Sequence, residues 1–221
     1  MSYILNIETA TKNCSVSVGH NGKTVALKEL SEAQFNHAEK LQTFIDEVLK
    51  ISGITLKELN AVAVSKGPGS YTGLRIGVSS AKGFCYALDI PLISVDTLEL
   101  LVHQLEVNDG FLVPMIDARR MEVFTRIFDA EKNAVGKPYA LIVETDSFDS
   151  LKGTIHLMGD GAAKCKEILN EERFLYHDEI IFPSAQEMSL LSFQKYIKSD
   201  FEDTAYFEPY YLKDFMLTVK K

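Results

Sequence analysis

The chain has 221 residues, of which 46% are hydrophobic and 24% charged, with 23 Lys plus Arg against 31 Asp plus Glu and a formal charge of −8. That balance excludes a disordered chain, and the net negative charge argues against direct binding to a phosphate backbone. Three cysteines, Cys14, Cys85 and Cys165, lack any C-x-x-C spacing, which argues against a disulfide framework or a structural zinc site and suits a reducing, cytoplasmic home. Met1 to Ala10 has no basic flank, and its apolar run is too short for a signal peptide or a membrane span.

In chain order, Tyr3 to Ile7 is a short apolar run, Glu8 to Asn13 reads as a turn, and Cys14 to Val18 alternates with period two. The Asn21-Gly22 dipeptide then predicts a tight hairpin into a third strand over Thr24 to Glu29. Asn36 and Glu39 have capping-box spacing, and Leu41, Phe44, Ile45, Val48 and Leu49 recur at helical intervals up to Gly53. Ala61 to Val64 reads as a central strand buried on both faces, followed by a glycine-rich loop, a helix over Thr72 to Leu88 and a strand over Pro91 to Val95. Strands are expected at Phe111 to Ile116, Val123 to Phe128, Ala140 to Val143 and Thr154 to Met158, with helices at Ala162 to Leu169 and Ala185 to Lys198. A soft boundary near 104–110 divides the chain into lobes 1–104 and 105–221, without a flexible linker, and residues after Tyr211 are expected to form a mobile tail.

Lys66-Gly67-Pro68-Gly69-Ser70-Tyr71-Thr72-Gly73-Leu74-Arg75-Ile76-Gly77 is the most unusual stretch. Its glycines suit an anion cradle at a helix N-terminus, with Glu8, Gly67, Gly69 and Ser70 as candidate cofactor contacts. The spacing is neither a P-loop nor G-x-G-x-x-G, and a tight turn with Ser70 or Thr72 capping the helix accounts for the loop as well. Gly73, Gly77 and Ala81 line one helix face with almost no side chain. Each interior glycine costs about 1 kcal/mol against alanine, so the stripe implies a close neighbour, either internal or another chain.

The opening Ile4 to Val18, the Asn36 to Leu41 helix start, the Gly67 to Gly77 loop, Asp117-Ala118-Arg119-Arg120 and Glu208-Pro209-Tyr210-Tyr211-Leu212 together resemble the bacterial TsaB family, also called YeaZ, in its order and across nearly the whole chain. The resemblance implies an α/β protein of the actin-like, sugar-kinase and heat-shock ATPase superfold (ribonuclease H-like), with two lobes of mixed sheets flanked by helices. It further implies a non-catalytic subunit in the placing of threonylcarbamoyl on the adenosine beside the anticodon. The implied partners are the paralogous transferase TsaD, bound as a heterodimer, and the ATPase TsaE. ATP and metal are expected on those partners, no cofactor on this chain, and tRNA is reached only through the complex. Two positions depart from the family: Glu8 stands where Asp is usual, and Met121 where a small residue is usual.

Glu8-Thr9-Ala10-Thr11 lacks the glycine of an active phosphate hairpin, and His20, His37, His103, His156 and His177 include no pair one helical turn apart, so neither a hydrolase nor a metal site is expected. An M22-type glycoprotease-like enzyme or an ATP-binding enzyme acting alone is the competing reading. Asp117, Arg119 and Arg120 suit an ion-pair cluster at a strand turn, or contact with an acidic group of a partner. The expected partner interface is the helix pair, through Leu41, Ile45 and Val48 on the first helix and Gly73, Leu74, Gly77, Val78, Ala81 and Phe84 on the second. A homodimer through the same helices is expected when the partner is absent.

Overall fold

The computed structural model describes residues 2–31 and 37–213, so the expected cap Asn36 and the tail from 214 onward lie outside the described residues. The three opening strands are β1 (Tyr3–Glu8), β2 (Asn13–His20) and β3 (Lys23–Ser31), joined antiparallel. Asn21 and Gly22, at φ 49° and 82°, form the two-residue turn between β2 and β3 that the Asn-Gly signal predicts. Helix α1 (His37–Ser52) leads to β4 (Ala61–Ser65), helix α2 (Tyr71–Leu88) and β5 (Leu92–Val95). β4 is parallel to both β1 and β5, which gives a mixed sheet ordered β3-β2-β1-β4-β5.

After a short helix α3 (Thr97–Val102) come β6 (Phe111–Asp117), β7 (Glu122–Asp129), β8 (Ala134–Ile142), β9 (Ile155–Met158) and β10 (Phe174–Tyr176). Their order, β10-β9-β6-β7-β8, repeats the first sheet strand for strand: a three-stranded meander whose first strand is continued by two parallel strands. The chain is thus two copies of one topology, although it shows no short sequence repeat.

The second half departs from its sequence expectation in several places. β8 begins at Ala134, ahead of the expected Ala140, and runs through Pro138, which an edge strand tolerates because one side of it carries no ladder bonds. The helix expected over Ala162 to Leu169 is only a 3-10 turn at Ala163–Cys165 followed by a tight turn, with Ile168 and Leu169 amides donating to Cys165 O at 3.0 and 2.8 Å. Successive turns bury Ala162, Cys165 and Leu169 as a helix would, so the apolar spacing does not distinguish the two. Helix α3 was not expected, because Leu98, Leu100, Leu101 and Val102 are all fully buried and leave no polar face to mark a period.

Helix α4 (Ala185–Ile197) returns from the second sheet to pack on the first. Alternation along the strands explains how both faces are covered. Leu5, Ile7, Val16, Val18, Val62 and Val64 meet α1 and α2, while Ile4, Ala61, Ala63, Ile93 and Val95 meet Met188 and Leu191 of α4. Towards β2 the α4 contact is polar: Ser192 Oγ donates to Asn6 Oδ1 at 2.8 Å, Asn6 Nδ2 to Ser17 Oγ at 3.0 Å, and Ala185 N to Ser15 Oγ at 2.9 Å. Beyond α4, Glu202 N donates to Leu92 O at 2.9 Å, so the following segment covers the open edge of β5.

Candidate functional site

The turn after β1 and the glycine loop after β4 meet at the carboxyl ends of adjacent parallel strands. Glu8 follows the Ile7–Val64 register pair on β1, and Ser65 follows it on β4. Glu8 is fully buried, and its carboxyl turns back on its own chain, where Oε1 accepts from Ala10 N at 2.5 Å. Neither Oε2 nor the neighbouring buried Ser65 Oγ has a partner at hydrogen-bonding geometry. Burial pushes the Glu8 carboxyl up to about 7, against the opposing pull of the Ala10 amide and the Ser65 hydroxyl. The Cys14 thiol is pushed up to about 12 by burial and then by the Glu8 charge, so it is inert.

Several amides of the loop and helix start are taken by the chain itself. Gly67 N donates to Thr97 Oγ1 at 3.1 Å, Ser70 N donates to Ala10 O at 2.7 Å, and Ser70 Oγ caps α2 by accepting from Gly73 N at 3.3 Å. Gly67 has φ +106° and a Cβ there would lie 2.7 Å from Tyr210 O, while a Cβ at Gly69 would lie 2.4 Å from Ala10 O. These glycines admit backbone, with the turn at Ala10 packed against Gly69 and Tyr210 against Gly67, as a tight turn capped by Ser70 requires. Tyr210 N donates to Lys66 O at 2.7 Å and the Tyr211 ring lies 5.0 Å from that of Tyr71, so the Glu208–Leu212 motif closes the loop from outside.

The small stripe of α2 is internal as well. A Cβ added to Gly73 would lie 2.1 Å from Thr9 O, and one added to Gly77 would lie 2.4 Å from Thr9 Oγ1 and within 3.5 Å of Val64 and Ile7. Leu41, Ile45, Val48, Val78 and Ala81 are buried in the same core, with Phe84 packed half-buried against it, and Leu74 is buried beside Gly67. The face named from spacing as a partner interface is therefore the face these helices turn to their own sheet, because the stripe lets α2 settle on the β1 turn. His37 opens α1, as expected of a helix-entry residue, and its Nε2 lies 2.7 Å from Thr11 O.

In the second lobe, the β6–β7 turn carries Arg119 and Arg120 at φ 72° and 50°. Asp117 is paired with Lys164 rather than with either arginine, its Oδ1 accepts from Arg119 N at 2.9 Å, and its own amide donates to Asp160 Oδ1 at 2.9 Å. Burial raises the Asp160 carboxyl, partly offset by the Asp117 amide and by Lys12 and Lys164, so the first turn and this hairpin face one another. Among the described residues no three His, Cys, Asp or Glu side chains are grouped to hold a metal ion, and no helix is long and apolar enough to cross a membrane.

This arrangement matches known proteins. The family described as TsaD, tRNA N6-adenosine threonylcarbamoyltransferase, matches residues 31–214. The tRNA threonylcarbamoyladenosine biosynthesis protein TsaB of Escherichia coli K12 is 28% identical over 96% of this chain and 94% of its own. The chain belongs to the TsaB/YeaZ family. YeaZ from Pseudomonas aeruginosa superposes with a TM-score of 0.83 at 25% identity, covering 96% of this chain and all of the other (100%). The activator of 2-hydroxyisocaproyl-CoA dehydratase from Clostridium difficile, solved with ADPNP, shares the fold at a TM-score of 0.51, 10% identity, 90% coverage of this chain and 96% of that one. The fold is thus the actin-like one, in a TsaB/YeaZ form.

In this TsaB/YeaZ family member the outward face of the helix pair is a different set of residues. On α2 it is Arg75, Ser79, Gly83 and Tyr86, and on α1 it includes Gln42, Thr43 and Asp46. Tyr86 is 87% exposed, and a Cβ added to Gly83 would meet nothing within 4 Å. Beside them Lys82, Gly83, Tyr86, Asp203, Thr204 and Ala205 line a groove of about 680 Å³. Sequence reading missed this surface. Its one sequence signal is Gly83, an interior glycine on the side of α2 opposite the Gly73, Gly77 and Ala81 stripe.

Proposed function

We propose that the chain serves tRNA threonylcarbamoyladenosine biosynthesis in the cytoplasm as a subunit without chemistry of its own, binding TsaD through the outward face of α1 and α2, with TsaE joining the pair. The observation that carries the absence of chemistry is the sealing of the first turn. Glu8 is buried and folded onto Ala10 N, and the backbone of Gly69 and Ser70 occupies the space above it. A carboxyl pushed up to about 7 by burial is only partly ionised near neutral pH, which weakens it as a partner for a metal-bound phosphate. ATP and metal then belong to the partner subunits, and tRNA is met through the complex, in keeping with a chain charge of −8. The Tyr86 ring and the gap at Gly83 supply the aromatic anchor and the close approach that a helix-on-helix contact uses. Without TsaD, two copies meeting through this face give a two-fold homodimer.

The test is co-purification with TsaD of the same organism, then reconstitution on unmodified tRNA. Gly83→Arg and Tyr86→Ala are expected to keep the melting temperature and lose TsaD, and normal binding by both variants would move the interface elsewhere. ATP hydrolysis or tRNA modification by the purified chain alone, abolished by Glu8→Ala, would establish it as an enzyme instead.

A further inference from the structure

In the second lobe the buried His156 meets the partly buried His177, and the proposed role uses neither. His156 lies in β9 and His177 directly after β10, brought side by side by the parallel β9–β10 ladder and by His177 N donating to Leu157 O at 2.9 Å. Nδ1 of His156 and Nε2 of His177 are 3.0 Å apart, and the ring centroids are 5.2 Å apart. The 2.2 Å difference leaves about 1.1 Å on each side, the centre-to-nitrogen distance of an imidazole, so both nitrogens lie on the line joining the rings. Nitrogens that meet head on suit a proton between them, whereas two ligands of one metal ion direct their lone pairs to a point off that line.

We propose that His156 and His177 share one proton head to head, and that this proton is a clasp holding the 174–180 segment to β9. While one proton lies between the rings they attract. When both rings are doubly protonated, two N–H groups face one another across 3.0 Å and the clasp repels. His156 is 7% exposed, and burial followed by the charge of His177 holds it below the ordinary histidine range, so the second charge enters only in acid. The other charges that bear on the pair are Asp109, in the loop before β6, and Glu179, whose Oε1 is 3.5 Å from His177 Nδ1; Asp178 is taken by Lys166 at 2.5 Å. The clasp has a route to the β6–β7 hairpin. His177 O accepts from Ile180 N at 3.1 Å, Ile180 O accepts from Gly159 N at 2.8 Å, and the next residue, Asp160, receives the Asp117 amide.

The experiment is nitrogen-15 NMR on the whole chain, from about pH 7.5 to about pH 4.5. At the upper pH a scalar coupling across the hydrogen bond is expected between His156 Nδ1 and His177 Nε2; its absence in the wild-type protein overturns the shared proton without any variant. Towards the lower pH the His177 and Ile180 amides are expected to lose at least about ten-fold of their exchange protection while Val62 and Val64 keep theirs. In His156→Gln the protection of His177 is expected not to vary with pH. A level wild-type profile, an equal loss in the variant, a loss shared with Val62 and Val64, or stoichiometric Zn²⁺ binding by both rings at the upper pH each counts against the clasp.

Discussion

A carboxyl group sealed from water resists ionisation, and Glu8 is sealed on every side. Its folded pKa of about 7 lies above the ordinary 4.5, so between those values the folded chain keeps a proton that the unfolded chain has released. Stability therefore falls as pH rises through that window and levels off above it, by on the order of 3 kcal/mol in full. Glu8→Gln is expected to flatten much of this slope in urea unfolding followed across the window, leaving the share of Glu187, which burial also raises to about 7. An unchanged slope would show that the carboxyl is ionised in place. The longer side chain at position 8 is legible in the sequence. Its return onto Ala10 N is not, because that depends on how Gly69 and Ser70 fill the turn from the next strand.

At the scale of single elements, α2 sets one residue type in two opposite environments. Gly77 faces Thr9 and Gly83 faces open space, so Gly77→Ala is expected to destabilise by about 1–3 kcal/mol through overpacking, and Gly83→Ala to stabilise by up to about 1 kcal/mol through helix propensity. Chemical denaturation of both variants checks the pair, and changes of the same sign would reverse the assignment of faces. Spacing alone says that two interior glycines want a close neighbour, but not which neighbour. Helix α4 shows the opposite case. The alternation of Ser15 and Ser17 with Cys14, Val16 and Val18 reads as a strand with one polar face, yet both faces are buried, because α4 meets that face with serines of its own. Ser192→Ala leaves Asn6 Oδ1 buried without its donor and is expected to cost about 1–3 kcal/mol in the same assay. The periodicity of α1, α2 and the opening hairpins is legible since each has one apolar side, and α4 is legible as the helix expected from Ala185; α3 is not, since burial on most sides removes the contrast.

For the whole molecule, the two sheets are joined by a partly buried ion pair. Asp96, the cap of α3 in the first lobe, meets Arg126 of β7 at 3.2 Å, and Arg126 Nε also donates to Gly136 O at 2.9 Å. Burial already raises the Asp96 carboxyl in spite of Lys66 and Arg126. Arg126→Ala is expected to cost about 2 kcal/mol, less than a fully enclosed pair because the Arg126 side chain is 23% exposed. The deficit is expected to grow as pH rises through the carboxylate range, since Asp96 then ionises without Arg126 beside it, and urea unfolding at acid and alkaline pH reads the difference. A deficit that does not vary with pH would mean that Arg126 acts through its packing and its bond to Gly136.

The route of the chain after α4 governs when the first lobe can be finished during synthesis. Residues 185–192 help to cover Asn6, Ser15 and Ser17, Glu202 bonds the edge of β5, and Tyr210 and Tyr211 close the Gly67 loop from outside. The amino-terminal hundred residues therefore leave the ribosome with a sheet still open on one face, and must wait for nearly the whole polypeptide before that face closes. A nascent chain arrested at residue 180 is expected to hold its first sheet in a protease-sensitive state, and one arrested with residue 213 clear of the exit tunnel to be resistant.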